Sequence, residues 1–184
     1  MKRTTITTAI LSSTLLFSTL LSAEEVNKVD ETLKQWSVGV SSYVISIDDA
    51  DYGDDTFEGY SFSAGYAFSD SLAVRGQFYS TEHELTSDLE LSGIDVNVFY
   101  GTGLATEGFK AYVGVGFYSE TLKETYYEID EDFSGVQLSG GIGYNWDSLS
   151  LELAIALRST GDYEDLSESD MAAAAGSLIL SYRF

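Results

Sequence analysis

From Trp36 to Phe184 the chain repeats one pattern. Bulky residues alternate with small or polar ones at every second position, in short runs separated by clusters of Gly, Ser, Asp and Asn. A period of two is the signature of strands. Eight such runs stand out, at roughly 36–47, 57–68, 72–82, 90–100, 109–120, 134–146, 149–159 and 173–184. The last, Ser177-Leu-Ile-Leu-Ser-Tyr-Arg-Phe184, has no following strand, so unless its edge stays open it must pair with an earlier one. The simplest partner is the first strand, and an even number of antiparallel strands closed in this way is a barrel. The absence of Pro and the abundance of Tyr and Phe agree with an all-β chain.

The connections alternate in length. Ser69-Asp70-Ser71 and Asp147-Ser148 are short and a Gly-rich segment from Gly101 to Gly108 is moderate, whereas polar stretches near 48–56, 83–89, 121–133 and 160–171 are long. Short turns at one end and long loops at the other is the layout of an outer-membrane barrel. One face of the strands carries the bulky set, such as Phe62, Val96, Val115, Leu138 and Leu153. The other carries Gly, Ser, Ala, Gln, Asn and Tyr, with Arg75, Asp95, Glu152, Arg158 and Arg183.

A soluble barrel would turn the bulky face inward and cover its exterior with Lys and Glu along every strand. Here the second face is small and carries few charges, of both signs, which suits a narrow filled interior. Turning Arg75, Arg158 and Arg183 to lipid would cost up to about 2–4 kcal/mol each near the midplane. The bulky face is therefore expected outward, in an eight-stranded antiparallel transmembrane β-barrel. Trp36, Tyr66, Phe68, Tyr100, Phe109, Tyr144, Trp146, Tyr182 and Phe184 fall at the short-turn end, and Tyr60, Phe78, Phe117 and Phe133 nearer the other. Two such belts are what amphipathic rings seek at bilayer interfaces. Strand 1 loses clean alternation after Ser41, where a bulge is possible.

The start of the chain reads differently. Lys2 and Arg3 precede an uncharged apolar and hydroxyl-rich stretch from Ile6 to Leu21, and Leu21-Ser-Ala23 is a plausible cleavage site, so residues 1–23 are expected to be a signal peptide. Removing Lys2 and Arg3 takes the formal net charge from -21 to -23. Residues 24–35 read as a polar leader, and 36–184 as the barrel domain. So acidic a chain is a poor match for nucleic acid, which demands clustered Lys and Arg. Without Cys there are no disulfides and no thiolate metal sites.

Gly59-Tyr-Ser-Phe-Ser-Ala-Gly-Tyr-Ala-Phe-Ser-Asp-Ser-Leu-Ala-Val-Arg-Gly-Gln-Phe-Tyr79 resembles a strand, Asp-containing turn and strand of the small outer-membrane β-barrel proteins, the family of OmpX, the opacity proteins and the OmpA membrane domain. The alternation of Leu178, Leu180, Tyr182 and Phe184 resembles the signal by which such proteins are recognised by the outer-membrane assembly machinery. The resemblance spans the chain from about Trp36. It implies an outer-membrane location with long loops outside and short turns periplasmic, contact with lipid and lipopolysaccharide, a monomeric state, and no cofactor. The chain ends with the barrel, so no cell-wall-binding domain is expected after it.

Carboxylates crowd the long-loop ends, from Asp48 to Glu58, Glu82 to Glu90, Glu120 to Asp132 and Asp162 to Asp170, with Lys123 the one Lys or Arg among them. A solvated, aggregation-resistant surface is the plain reading. The sharper one is divalent cation binding, since carboxylate oxygens are hard ligands for Ca²⁺ and Mg²⁺, with Asp49, Asp51 and Asp54 as first candidates. That stretch does not match an EF-hand loop, because Gly53 comes one place early and no Glu stands at the twelfth position. Inside, Arg75, Asp95 and Glu152 lie at similar depth, and an ion-pair network with Arg158 and Arg183 is expected to fill the lumen. A gated narrow ion path is the alternative.

Catalysis finds little support. Some eight-stranded barrels modify lipid A with a His and a partnering Ser or acid, but the one His here, His83, reads as a loop residue near Ser80 and Ser87 with no further element of a signature. The chain also lacks the Pro residues that open a lateral gate in the acyltransferase barrels. Tyr52, Tyr126, Tyr127 and Tyr163 among the acids suit either protein contacts or packing of loops on the rim. The sequence thus favours a non-enzymatic surface or membrane-structural protein, with an adhesion or stress-resistance role, over a narrow porin and over a lipid A-modifying enzyme.

Overall fold

The computed structural model describes residues 33–49, 53–85, 88–124, 129–161 and 171–184. The residues expected to form a signal peptide and most of those expected to form a leader lie outside them, and residues 33–35 belong to no regular element. Eight strands follow: β1 (Trp36–Asp49), β2 (Gly53–Ala67), β3 (Leu72–His83), β4 (Leu89–Thr102), β5 (Gly108–Glu124), β6 (Ile129–Asn145), β7 (Leu149–Arg158) and β8 (Met171–Arg183). Each pairs antiparallel with its sequence neighbours, and β8 returns to β1, giving a closed barrel without a free first or last strand. Beyond β8, Phe184 and Trp36 exchange both backbone hydrogen bonds at 3.0 Å.

Alternation sorts the faces as the strand period demands. The bulky set points out: Phe62, Val96, Val115, Leu138 and Leu153 are all exposed. At the short-turn end, aromatic rings form a girdle in which Trp36, Tyr66 and Phe68 touch in series and Tyr144 meets Trp146. At the other end the apolar exterior stops at a row of charges. Glu58 stands opposite Glu82, Glu82 opposite Glu90, Glu90 opposite Lys123 and Lys123 opposite Asp130, all exposed on the outer face.

Three expectations need correction. β1 has no bulge: its pairing with β2 advances residue by residue from Trp36 with Tyr66 to Asp49 with Gly53. The alternation continues past Ser41 with its polarity exchanged, so that Tyr43, Ile45 and Ile47 are the inward, buried residues. The strands also reach further than the acidic composition suggests. β5 and β6 form a ladder up to Glu124 with Ile129, so much of the stretch read as loop 121–133 is strand. Parity on that extension turns Phe133 inward, where it is buried; it belongs to the core and not to the outer aromatic belt.

Candidate functional site

The lumen holds the concentration of chemistry-bearing side chains, and it is filled in layers. Nearest the short turns is a lid made by the β4–β5 connection. Gly103 has φ +70°, in the left-handed region, and a Cβ there would lie 2.3 Å from the Phe109 carbonyl oxygen, so the turn depends on glycine. Asp70, in the neighbouring β2–β3 turn, anchors the fold-back. Its carboxylate accepts from the backbone N–H groups of Gly103, Ala105 and Thr106 at 3.1–3.2 Å and from the Thr106 hydroxyl at 2.7 Å. Burial raises the pKa of Asp70, but the bonds from Thr106, Gly103 and Ala105 outweigh it and hold the group below the ordinary carboxylate value. Asn145 donates to the Gly103 and Thr106 carbonyls from the other side, and Ala105 ends almost fully buried across the mouth.

Above this lid sits a lower charged tier. Arg75 donates to Glu152 at 2.7 Å and to the Tyr112 hydroxyl at 3.3 Å, and Tyr112 itself donates to Glu152 at 2.8 Å. Lys110 reaches the second oxygen of Glu152 at 2.7 Å and donates to Ser150 at 2.9 Å. The Arg75 guanidinium packs over the Phe99 and Tyr112 rings. An uncharged layer follows, in which Gln137 and Ser139 both donate to Asn97 at 3.0 Å.

The upper tier is built round Arg158, 6 % exposed at the end of β7. Its guanidinium donates to Glu120 at 2.7 Å, to Asp95 at 3.1 Å, to the Tyr43 and Tyr79 hydroxyls at 2.9 and 3.2 Å, and to Gln137 at 3.3 Å. Those partners come from β4, β5, β1, β3 and β6, so one side chain ties six strands together. Tyr43 also donates to Asp95 at 2.9 Å and Tyr79 to Glu120 at 2.5 Å, while the rings of Tyr43 and Tyr79 stack at 4.7 Å. Arg158 lies over the faces of Tyr118 and Tyr79. Towards the long-loop end the filling turns apolar, with Ile45, Ile47, Phe57, Leu91 and Phe133 in one cluster.

Of the interior residues singled out from sequence, the structure brings Arg75 to Glu152 and Asp95 to Arg158. It does not bring Arg75 to Asp95: Arg75 is registered with Asn97, Asp95 with Gln77, and the long side chains reach across the lumen instead of to the next strand. Arg183 points inward but joins no ion pair among the described residues; it donates to the carbonyls of Ala105 at 2.6 Å and Trp146 at 3.4 Å. Two members were missed. Glu120 reads in the sequence as one of the loop acids, yet it shares the face of Tyr112 and Tyr118 on β5 and is 2 % exposed. Lys110 stands on that same face, beside the outward Phe109.

The remaining candidates lie apart. Asp51 falls outside the described residues, as do the side chains of Asp49 and Asp54. Among the described residues no group of three or more His, Asp or Glu is placed to hold a metal ion. His83 is the last residue of β3 and not a loop residue; its Nε2 lies 3.2 Å from Asp55, the Leu85 N–H donates to Nδ1 at 3.3 Å, and its ring meets Phe57 edge-on. Among the described residues no Ser hydroxyl bonds to its ring. Leu178, Leu180, Tyr182 and Phe184 lie exposed on the outer face of the last strand.

Comparison with known proteins places this architecture. Ail, the attachment invasion locus protein of Yersinia pestis, is similar over 83 % of this chain and 100 % of that one, with a TM-score of 0.55 at 15 % identity. Neisserial surface protein A matches 83 % of this chain and 98 % of its own, with a TM-score of 0.60 at 16 % identity. OprG of Pseudomonas aeruginosa matches 84 % and 98 %, with a TM-score of 0.53 at 12 % identity. Identities this low speak for the fold alone. No curated protein sequence matches the chain. The profile of the outer membrane protein beta-barrel domain matches residues 13–184, and the chain belongs to that family of outer-membrane barrel proteins.

Proposed function

We propose that the protein is a non-enzymatic, non-conducting barrel that anchors an acidic surface at the cell exterior, with the long-loop end outward and the short turns periplasmic. The observation that carries this reading is Arg158, whose guanidinium bonds to side chains from five other strands and spans the lumen. An eight-stranded barrel is just wide enough for its interior side chains. The Ala105 lid on one side and the Ile45–Phe57–Phe133 cluster on the other add two more obstructions to an ion path.

The outer row of Glu58, Glu82 and Glu90 favours a surface role. It sits above the apolar exterior, where the strands leave the bilayer, and extends the charge of the long-loop end down to the membrane boundary. Such a field steers cationic partners and repels anionic ones. Planar-bilayer recording of the refolded protein tests the first half of the proposal, and reproducible conductance steps would overturn it. Binding of cells with and without the long loops to other cells or to matrix tests the second.

A further inference from the structure

The interior charges do not balance among the described residues. The inward carboxylates are Asp95, Glu120 and Glu152, whereas four cations point inward: Arg75, Lys110, Arg158 and Arg183. Arg158 is matched by Asp95 and Glu120. Glu152 is shared by Arg75 and Lys110. Arg183 is left over, 3 % exposed and bonded to two neutral carbonyls.

Glu107, Glu152, Asp70 and Asp147 act on Arg183 through their charge, but among the described residues none of them reaches it within ion-pairing distance. Asp70 holds the β4–β5 turn through four hydrogen bonds, and Asp147 is paired with Lys34. A guanidinium withdrawn from water with no carboxylate in direct contact is an expensive arrangement. It becomes a favourable one when a small anion supplies that contact.

The space for that anion is beside the arginine. A cavity of about 30 Å³ is lined by Arg183, Arg75, Lys110 and Lys34 together with Ser37 and Ser181. Ser37 is registered directly opposite Arg183 across the β1–β8 seam. The lining therefore offers guanidinium, ammonium and hydroxyl donors, with Glu152 as its one carboxylate. One water needs about 10–15 Å³ on this scale, so the cavity takes about two or three particles of that size. A phosphorylated sugar or a lipid headgroup is too large.

We infer that this vestibule is a binding site for a small monovalent inorganic anion of halide size, held by Arg183 and Lys110 with the Ser37 hydroxyl. The anion neutralises the fourth interior cation and ties the Ala105 lid to the barrel wall through Arg183. The site stands whichever way the barrel faces, and independently of whether the lumen conducts.

Bromide is the direct probe. Crystals of the refolded protein soaked in bromide should show an anomalous peak within hydrogen-bonding reach of Arg183 and Lys110; no peak there at molar bromide overturns the assignment. In detergent solution, the thermal midpoint should rise and saturate as chloride replaces gluconate at constant ionic strength. Arg183→Gln should abolish that saturable rise, and Ser37→Val, which keeps every charge and narrows the cavity, should weaken the apparent chloride affinity at least tenfold. Should Arg183→Gln fail to fold, Ser37→Val decides the matter alone. A wild-type response that is linear in chloride, or unchanged in Ser37→Val, refutes the site.

Discussion

Glu120 and Arg158, 38 positions apart in the chain, meet at 2.7 Å in the interior of the barrel, both side chains fully withdrawn from solvent. Their contact crosses from β5 to β7 and is reinforced by Tyr79, which bonds to both. Removing one member of such a buried pair leaves the other uncompensated, at a cost of about 3–5 kcal/mol. Arg158→Met strands two carboxylates and is expected to lose that amount in urea unfolding of the micelle-bound protein. Glu120→Gln leaves Arg158 with Asp95 and should lose less. Equal losses would show that the tier is not centred on Arg158.

The Asp70 lock gives a pH signature. Its pKa is lowered in the fold, so the stabilisation is fully present above the unfolded carboxylate value of about 3.9 and is lost as the pH falls below that through the lower folded value. Asp70→Asn should cost about 1 kcal/mol at neutral pH, a figure reduced for the partial exposure of the group. The stability difference between the variant and the wild type should close on acidification below pH 4, and a difference that persists through this range would contradict the lock.

Phe133 and Ser134 test the parity of β6 beyond the apolar belt. Phe133 is buried and Ser134 exposed, so Ser134→Cys should react with a membrane-impermeant maleimide on the folded protein and Phe133→Cys should not. The reverse pattern would return Phe133 to the outer girdle.

Glu82 stands between Glu58 and Glu90 on the outer face, two like-charge neighbours in direct register. Like charges directly opposite one another destabilise a sheet. Glu82→Gln should therefore stabilise the barrel at low salt, and the gain should shrink as added salt screens it. No gain at low salt would mean that the three carboxylates are already neutralised by bound cations.

Phe184 tests the assembly proposal. Its ring is exposed and stacks on Tyr182, while its backbone pairs with Trp36. Deleting Phe184 should reduce the amount of protein reaching the membrane more than it lowers the stability of barrels already folded. Equal yields would make this an ordinary last strand.

The fold was legible because a lipid-facing exterior imposes period two on every strand, and Val96, Val98, Val113 and Val115 keep it without interruption. The interior was less so. A rule that acids belong to loops hid Glu120, although its spacing from Tyr118 placed it inward. A rule that the lumen is polar turned the inward run of Tyr43, Ile45 and Ile47 into a suspected bulge. Which charges meet was beyond sequence altogether: Arg75 and Arg158 choose partners across the lumen, and that choice depends on the tilt of the strands and the reach of the side chains, not on adjacency.

The paired backbone bonds of Trp36 and Phe184 join residues that bracket every strand between them. Loop-closure entropy must be met in full before that contact forms, and no subset of hairpins contains it. The final turn of the ring is thus a single gated event, and until it occurs both β1 and β8 carry an unpaired edge. Whatever shelters those two edges during synthesis and membrane entry sets how much of the chain becomes barrel and how much becomes aggregate.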